Sequence, residues 1–402
     1  MLKSTPLFPA LSGEPLQLAR ELVPLLAEHD REIDETRRIP PHVMEAISAT
    51  GLPWMMIPKR AGGAGQTMRC EIEVTAELAR GSAGAAWAFG LLCAVTSVAG
   101  SLRRSAAERI FITGRELICG VTMPSGTARR IGGGYLVDGN WPYASGSQFA
   151  DWGMCCVKLL GEDGVSAGVA YAFIPFGERG LTIKDTWNVA GMRGSASNNM
   201  LAENVFVPEE LIISEGRRGS ASDLLQNQLS EPRDRWPTAV VFPLGVIAPM
   251  LGAARNMLDR TIETLDKKAI TFWDYPRQSE SQVVLQQLGE AAIEIDSAWL
   301  HVLHAVDGLD ETAQVRALTQ AEQVRLQADC GYAMGLVRHA AERLMDIGGA
   351  SAFAQSNALQ RAWRDIALGS RHAFLNSLQS AEMYGRSLAG LPLQNAVYRQ
   401  AK

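Results

Sequence analysis

Metal-binding and disulfide patterns are missing from this 402-residue chain. Its six cysteines (Cys70, Cys93, Cys119, Cys155, Cys156 and Cys330) form no C-x-x-C pair. Cys155 and Cys156 are adjacent in a strand-like run, so they face opposite sides. Free buried thiols in a reducing compartment follow, and the expected location is cytoplasmic. Of six histidines, only His301-x-x-His304 forms a close pair, with no cysteine or carboxylate in phase, so no metal centre is expected. Charge of one sign is scarce as well. The formal net charge is -5, and the basic pairs Arg37-Arg38, Arg129-Arg130 and Arg217-Arg218 stand isolated. No nucleic-acid partner is expected. The opening MLKSTPLFPALSGEP has no apolar core of signal-peptide length. The most apolar stretch, Ala85 to Ala99, is broken by Gly90 and carries Ser97. It reads as a buried helix too short to span a membrane, and no membrane partner is expected. No internal repeat or low-complexity segment occurs. No G-x-G-x-x-G opens a βαβ unit, and Gly132-Gly133-Gly134 leads into a strand as a turn, which argues against a built-in nicotinamide domain.

What is present is 47% hydrophobic and 20% charged residues, enough for a sizeable core. Three textures follow one another, giving domains at 1-115, 116-215 and 216-402. The first is helical. Ser12 is a candidate cap with Glu14 and Pro15 in the first turn, and Leu18, Leu22, Leu25 and Leu26 recur at helical spacing. Pro40-Pro41 open a second helix ending at Gly51, a Gly-rich loop runs from Arg60 to Gln66, and two apolar helices reach about Gly100. The second zone has short β-forming runs (Leu117–Thr122, Tyr135–Val137, Met154–Lys158, Val169–Ile174, Leu181–Ile183) between turn residues, which predict a small sandwich or barrel. The third has four helical runs: one through Leu244 to Leu258, one from Ser279-x-x-Gln282 to about Gly308, one from about Thr312 to Asp346, and one from about Asn357 to Leu388. They predict a four-helix bundle. Glu215 to Trp236 reads as a polar connection. The fold class is α+β.

Four passages carry candidate chemistry. Val121-Thr122-Met123-Pro124 reads as a strand end where backbone groups become free. In Trp141-Pro142-Tyr143-Ala144-Ser145-Gly146, strand alternation puts Tyr143 and Ser145 on one face, an aromatic beside a hydroxyl. Trp187-Asn188-Val189-Ala190-Gly191-Met192-Arg193-Gly194-Ser195-Ala196-Ser197 precedes Val205-Phe206-Val207-Pro208, with small residues permitting close backbone approach. Finally, His372 follows Arg364-Asp365, and Gly348-Gly349 ends a helix.

The order helices, β domain, bundle resembles the acyl-CoA dehydrogenase superfamily, and these four passages resemble its reduced-flavin monooxygenase branch. Ala144, Ser195 and Ala196 depart from the residues usual there. The resemblance implies that Thr122 anchors the flavin ring, Trp141 and Tyr143 wall it, Ser145 meets its N5 atom, and Gly348-Gly349 lie near the cofactor phosphates of a neighbouring subunit. The acyl-CoA dehydrogenases place a catalytic Glu either after the Arg-Asp pair or in the first bundle helix. Here His372-Ala373 stand at the former, and Leu244 to Met257 contains no acidic residue. Abstracting a weakly acidic α-proton needs a positioned base. A histidine suits proton exchange at neutral pH instead. The implied function is hydroxylation of an aromatic or heteroaromatic small molecule. Externally reduced flavin (FADH2 or FMNH2) and O2 would act through a C4a-hydroperoxyflavin, with His372 and Ser145 as catalytic residues. A separate NAD(P)H:flavin reductase and a homotetramer are the implied partners. Acyl-CoA-type α,β-desaturation, N- or S-oxygenation, and a non-catalytic flavin-fold subunit remain the alternatives.

Overall fold

A computed structural model describes residues 8–161, 163–177, 179–214 and 231–395. The expected connection Glu215 to Trp236, with Arg217-Arg218, lies outside the described residues up to position 230. Beyond it, Pro232–Arg235 form a 3-10 turn with a capping box from Glu231 and Asp234.

The N-terminal helices are α1 (Pro15–Thr36), α2 (Pro41–Ala49), α3 (Met68–Ala79), α4 (Ala83–Gly100) and α5 (Arg104–Ile110). Glu14, not Ser12, caps α1, accepting from Gln17 N at 2.8 Å, while Ser12 is drawn onto the Thr50 carbonyl. Helix α4 is apolar on every side. It joins two cores: Trp87 and Phe89 pack with the helices, and Leu92, Val95 and Ala99 pack against the sheet. By length and composition, α4 and Val240–Thr264 could cross a membrane, so α4 is longer than its sequence run suggests. Their apolar windows are 83% and 78% buried inside the fold, as core helices are.

The sandwich or barrel is realised as one seven-stranded mixed sheet, ordered β5-β6-β2-β1-β3-β4-β7. Its strands are β1 (Ile118–Ile131), β2 (Gly134–Ala144), β3 (Trp152–Leu160), β4 (Ser166–Pro175), β5 (Thr182–Lys184), β6 (Asn198–Pro208) and β7 (Ile212–Ser214). Strand β1 pairs parallel with β3 and antiparallel with β2. Its register shifts between Val121 and Gly126, so Thr122–Ser125 form a bulge within a long strand rather than a strand end.

The C-terminal helices are α6 (Thr238–Thr264), α7 (Gln282–Val315), α8 (Gln320–Gly348), α9 (Ala358–Gly369) and α10 (Ser377–Leu388). Three boundaries differ from expectation, and at the first the second run continues past Gly308 to Val315. The third run starts at Gln320, because Thr319 and Glu322 make a reciprocal capping box. The fourth run is two helices, broken at Ser370–Asn376, with Asn376 capping α10 by accepting from Gln379 N. His372 therefore sits in a turn and not on a helix.

Helices α3 and α6 cross so closely that a Cβ on Gly252 would lie 1.9 Å from the Ala76 carbonyl oxygen. An exposed helical Gly→Ala change gains up to about 1 kcal/mol from propensity. Gly289 on α7, with nothing within 4 Å of its Cβ position, should show that gain. Gly252→Ala should instead lose roughly 1–3 kcal/mol through overpacking. Urea unfolding of the two variants checks the opposite signs.

Candidate active site

Three elements meet at one indole. Trp87 on α4 is buried, and its N–H, which can only donate, needs an acceptor. It donates to Ser145 Oγ at 3.2 Å. On the other side, its ring meets His372 edge-on, centroids 5.5 Å apart. Ser145 lies just beyond the end of β2, and His372 lies in the turn between α9 and α10. Two residues that the sequence motifs singled out are thus brought together by a third that shows in the sequence only as part of a buried apolar helix.

The loop 186–198 closes this site from behind. Ser197 Oγ lies 2.7 Å from both Ser145 Oγ and Ser195 Oγ, forming a buried line of three hydroxyls. The loop is pinned at several points. Asp365 accepts from Met192 N, Trp187 Nε1 donates to Met192 O at 2.9 Å, and Gly146 N donates to Ser195 O at 2.8 Å. Gly194 packs so tightly that a Cβ there would lie 2.2 Å from Ile33 Cγ2. Ion pairs fix the surroundings: Asp30 with Arg361, and Asp34 with Arg364 and Arg193.

Other expected site residues fall differently. Trp141 is 0% exposed, lies in the sheet core and donates to Cys156 O at 2.6 Å, so it has no face for a cofactor. Tyr143 is 71% exposed and edge-on to Trp187, centroids 6.1 Å apart. Tyr143 and Ser145 do not share a face. Tyr143 has φ +65° at a register shift between Trp141 and Ala144, which breaks strand alternation. Thr122 is half-buried in the β1 bulge beside exposed Met123. Gly348 ends α8 and Gly349 caps it, and Lys268 Nζ reaches Gly348 O and Ser351 Oγ there. His301 and His304 both bond Asp329, which Arg325 also holds. Among the described residues no group of His, Cys, Asp or Glu suits a metal ion.

Burial makes the interior neutral. His372 is pushed down to about 4 by desolvation, so its ring is uncharged at neutral pH. Phe374 N donates to its Nδ1 at 3.3 Å, which assigns the ring proton to Nε2. Asp365 is pushed up to about 8, first by burial and then by Asp30. A cavity of about 980 Å³ opens between α3, the C-terminal half of α4, the sheet and the start of α6; its lining includes none of Trp87, Ser145 and His372. Phe242 lines it and stacks on Phe374, which touches His372. Glu71, which no sequence motif marks, also lines it. It is fully buried, pushed up to about 7 by burial, and accepts from Thr75 Oγ1.

Comparison with known proteins matches residues 17–106 to the acyl-CoA dehydrogenase N-terminal domain and 244–377 to the acyl-CoA dehydrogenase C-terminal domain. XiaF from Streptomyces sp., solved in complex with FADH2 and glycerol, is 30% identical, with a TM-score of 0.90 over 95% of this chain and 96% of that one. The chain belongs to the acyl-CoA dehydrogenase superfamily. Within it, the relatives include the flavin-dependent monooxygenase oxygenase subunit HsaA of Rhodococcus jostii, 26% identical over 95% of this chain and all of that protein. The oxygenase component of FADH2-dependent resorcinol hydroxylase from Rhizobium sp. is also 26% identical, over 90% of each chain. The helical, sheet and helical organisation is that of the superfamily.

In the unfolded chain His372 takes up its proton near 6.5, whereas in the fold it waits until about 4. Between these values the unfolded state binds more protons, so this group lowers stability as pH falls through that window. A tenfold change in proton affinity corresponds to about 1.4 kcal/mol, and the full effect comes to roughly 3 kcal/mol. Raised Asp365 and Glu71 act oppositely, losing stability as pH rises through their folded values. Comparing wild type with His372→Asn isolates the histidine. The variant should show a smaller stability loss from pH 7 to pH 4.5 by urea unfolding.

Proposed function

We propose that this protein is the oxygenase component of a two-component flavin-dependent monooxygenase that hydroxylates an aromatic or heteroaromatic small molecule. The observation that carries the reading is the company kept by Trp87: a neutral imidazole meets its ring and a hydroxyl accepts from its N–H. The names of the relatives, HsaA and resorcinol hydroxylase, and the FADH2 bound to XiaF support it.

The residues present fit an isoalloxazine. Ser145 Oγ spends one lone pair on Trp87 and keeps capacity for a further partner. The β1 bulge leaves Thr122–Ser125 outside the strand registers, so backbone donors and acceptors stand ready for a heterocycle edge. Exposed Tyr143 and Met123 offer apolar surface to a flat ring. Reduced flavin, when bound, would give two electrons to dioxygen, one oxygen atom of which enters the substrate while the other leaves as water.

The chain's own part is positioning and exclusion of water. Ser145 would meet N5, Thr122 and the bulge would hold the pyrimidine edge, and Tyr143 with Trp187 would cover the ring. His372 offers Nε2–H as a fixed neutral donor, so it orients an oxygen rather than storing a proton at neutral pH. The cavity beside Phe242 takes the substrate. These contacts all go to the ring system, so the reading covers FMN and FAD alike. Lys268 beside Gly348-Gly349 supports a phosphate contact there, from a flavin held by a neighbouring subunit. Exposed Ile293 and Leu300, seven residues apart on α7, support assembly through the bundle, as a homotetramer. The six free cysteines support a cytoplasmic location. Reduced flavin comes from a separate NAD(P)H:flavin reductase.

The test supplies purified protein with a flavin reductase, NADH, flavin and oxygen, and scores hydroxylated product against hydrogen peroxide over a panel of phenols and indoles. Coupled hydroxylation of at least one ring is expected. Peroxide alone across the panel, with bleaching of bound oxidised flavin by an acyl-CoA, would establish a dehydrogenase instead. His372→Ala should cut product formation by roughly a hundredfold, with flavin affinity changed less than about threefold. Unchanged coupled turnover would remove the imidazole from the reaction.

A further inference from the structure

The line of hydroxyls behind Ser145 is buried and continuous, and the chemistry proposed for the site does not use its inner two members. Ser195 is fully buried, and Ser197 is nearly so. Both are shut off from bulk solvent. Ser145 Oγ and Ser197 Oγ are 2.7 Å apart, as are Ser197 Oγ and Ser195 Oγ, and in both pairs either atom has the geometry to donate. Both orders of donors along the line are geometrically open.

Counting lone pairs shows what the reversal does. A serine hydroxyl donates once and accepts twice. Trp87 Nε1 has no acceptor capacity, so it always fills one lone pair of Ser145. If Ser145 donates to Ser197, and Ser197 to Ser195, then Ser145 keeps one lone pair open and presents an acceptor. If Ser195 donates to Ser197, and Ser197 to Ser145, both lone pairs of Ser145 are filled. Its own O–H is then free, and it presents a donor. The backbone does not move between these states; only three hydroxyl hydrogens rotate.

Flavin N5 poses this choice. Reduced flavin carries a hydrogen on N5 and donates there, whereas oxidised flavin has a bare N5 that accepts. We propose that Ser197 is a positioning residue that lets Ser145 match N5 in both oxidation states, accepting from N5–H when the flavin is reduced and donating to N5 when it is oxidised. This rests on the reading that N5 lies against Ser145. Ser195 completes the line by accepting from Ser197 in one order and donating to it in the other. The pinned loop holds the spacing, through Asp365 on Met192 N and Gly146 N on Ser195 O.

Removing Ser197 should fix Ser145 in one role. In Ser197→Ala the Ser145 O–H loses its protein acceptor, and the remaining arrangement directs it at N5. Oxidised flavin keeps its donor, while reduced flavin, by donating to the open lone pair of Ser145, leaves the Ser145 O–H without an acceptor. The experiment is anaerobic titration of wild type, Ser197→Ala and Ser197→Thr with reduced and with oxidised FMN and FAD, followed by flavin fluorescence and calorimetry. In Ser197→Ala, affinity for reduced flavin should fall roughly 5- to 10-fold relative to oxidised flavin, the effect of one net hydrogen bond. The midpoint potential of bound flavin should fall correspondingly. Ser197→Thr, which restores the hydroxyl, should bring the ratio back toward wild type. Both flavin states binding Ser197→Ala with an unchanged ratio would overturn the proposal and leave the flavin site intact. A shifted ratio that Ser197→Thr fails to restore would also overturn it, since packing and not the hydroxyl would be responsible. Wild type binding neither oxidation state would overturn the flavin reading, and this proposal with it.

Discussion

The hydrogen bond from Trp87 to Ser145 is the constraint around which the site is arranged. A buried indole N–H without an acceptor costs roughly 1–3 kcal/mol, so the end of β2 must deliver an oxygen to that spot. Trp87 lies on the helix shared by both cores, so this bond ties the sheet to the helical body at the point where chemistry is expected. It also uses up part of the Ser145 hydroxyl. The atom that the site offers outward is defined by what the protein has already taken from it.

Charge around the site is held in ion pairs. Asp30 with Arg361, and Asp34 with Arg364 and Arg193, form a belt joining α1, α9 and the 186–198 loop. Three buried groups move toward their neutral forms: His372 down, Asp365 and Glu71 up, all with burial as the leading cause. A carboxylate and an imidazole shifting in opposite directions share one origin, the low polarity of the interior. Such an interior strengthens any fixed dipole aimed into it, which suits a site that works by placing hydrogen bonds.

Much of this was legible in the sequence, and the failures have local causes. Changes of period marked the three regions, and the motif around Ser145 and the His after Arg364-Asp365 located both residues that meet at Trp87. Strand alternation failed at Trp141 and Tyr143, because a positive φ at Tyr143 turns the chain, burying the first and exposing the second. No spacing rule announces such a turn. The break at Ser370–Asn376 left a weak trace, the capping Asn376 before Ser377, within an otherwise helical run. Trp87 was hidden by the uniform apolarity of α4, since a helix buried on every side shows no preferred face. Glu71 is an acid among apolar residues whose burial depends on tertiary packing alone.

The break that helical periodicity conceals is what gives His372 a definite tautomer. On a continuous helix, the N–H of Phe374 would be spent on the carbonyl four residues earlier. In the turn it is released, and it donates to the His372 ring two residues back. The tautomer is therefore set by adjacent backbone, before any ligand arrives. Trp87 and Phe374 flank the ring and keep it uncharged by excluding water. Interrupting a helix for one turn thus yields a neutral donor of fixed orientation. A carboxylate at the same place would have been an acceptor when ionised, with nothing to offer a developing negative oxygen. The identity of the residue and the shape of the backbone point to the same chemistry, and they do so independently.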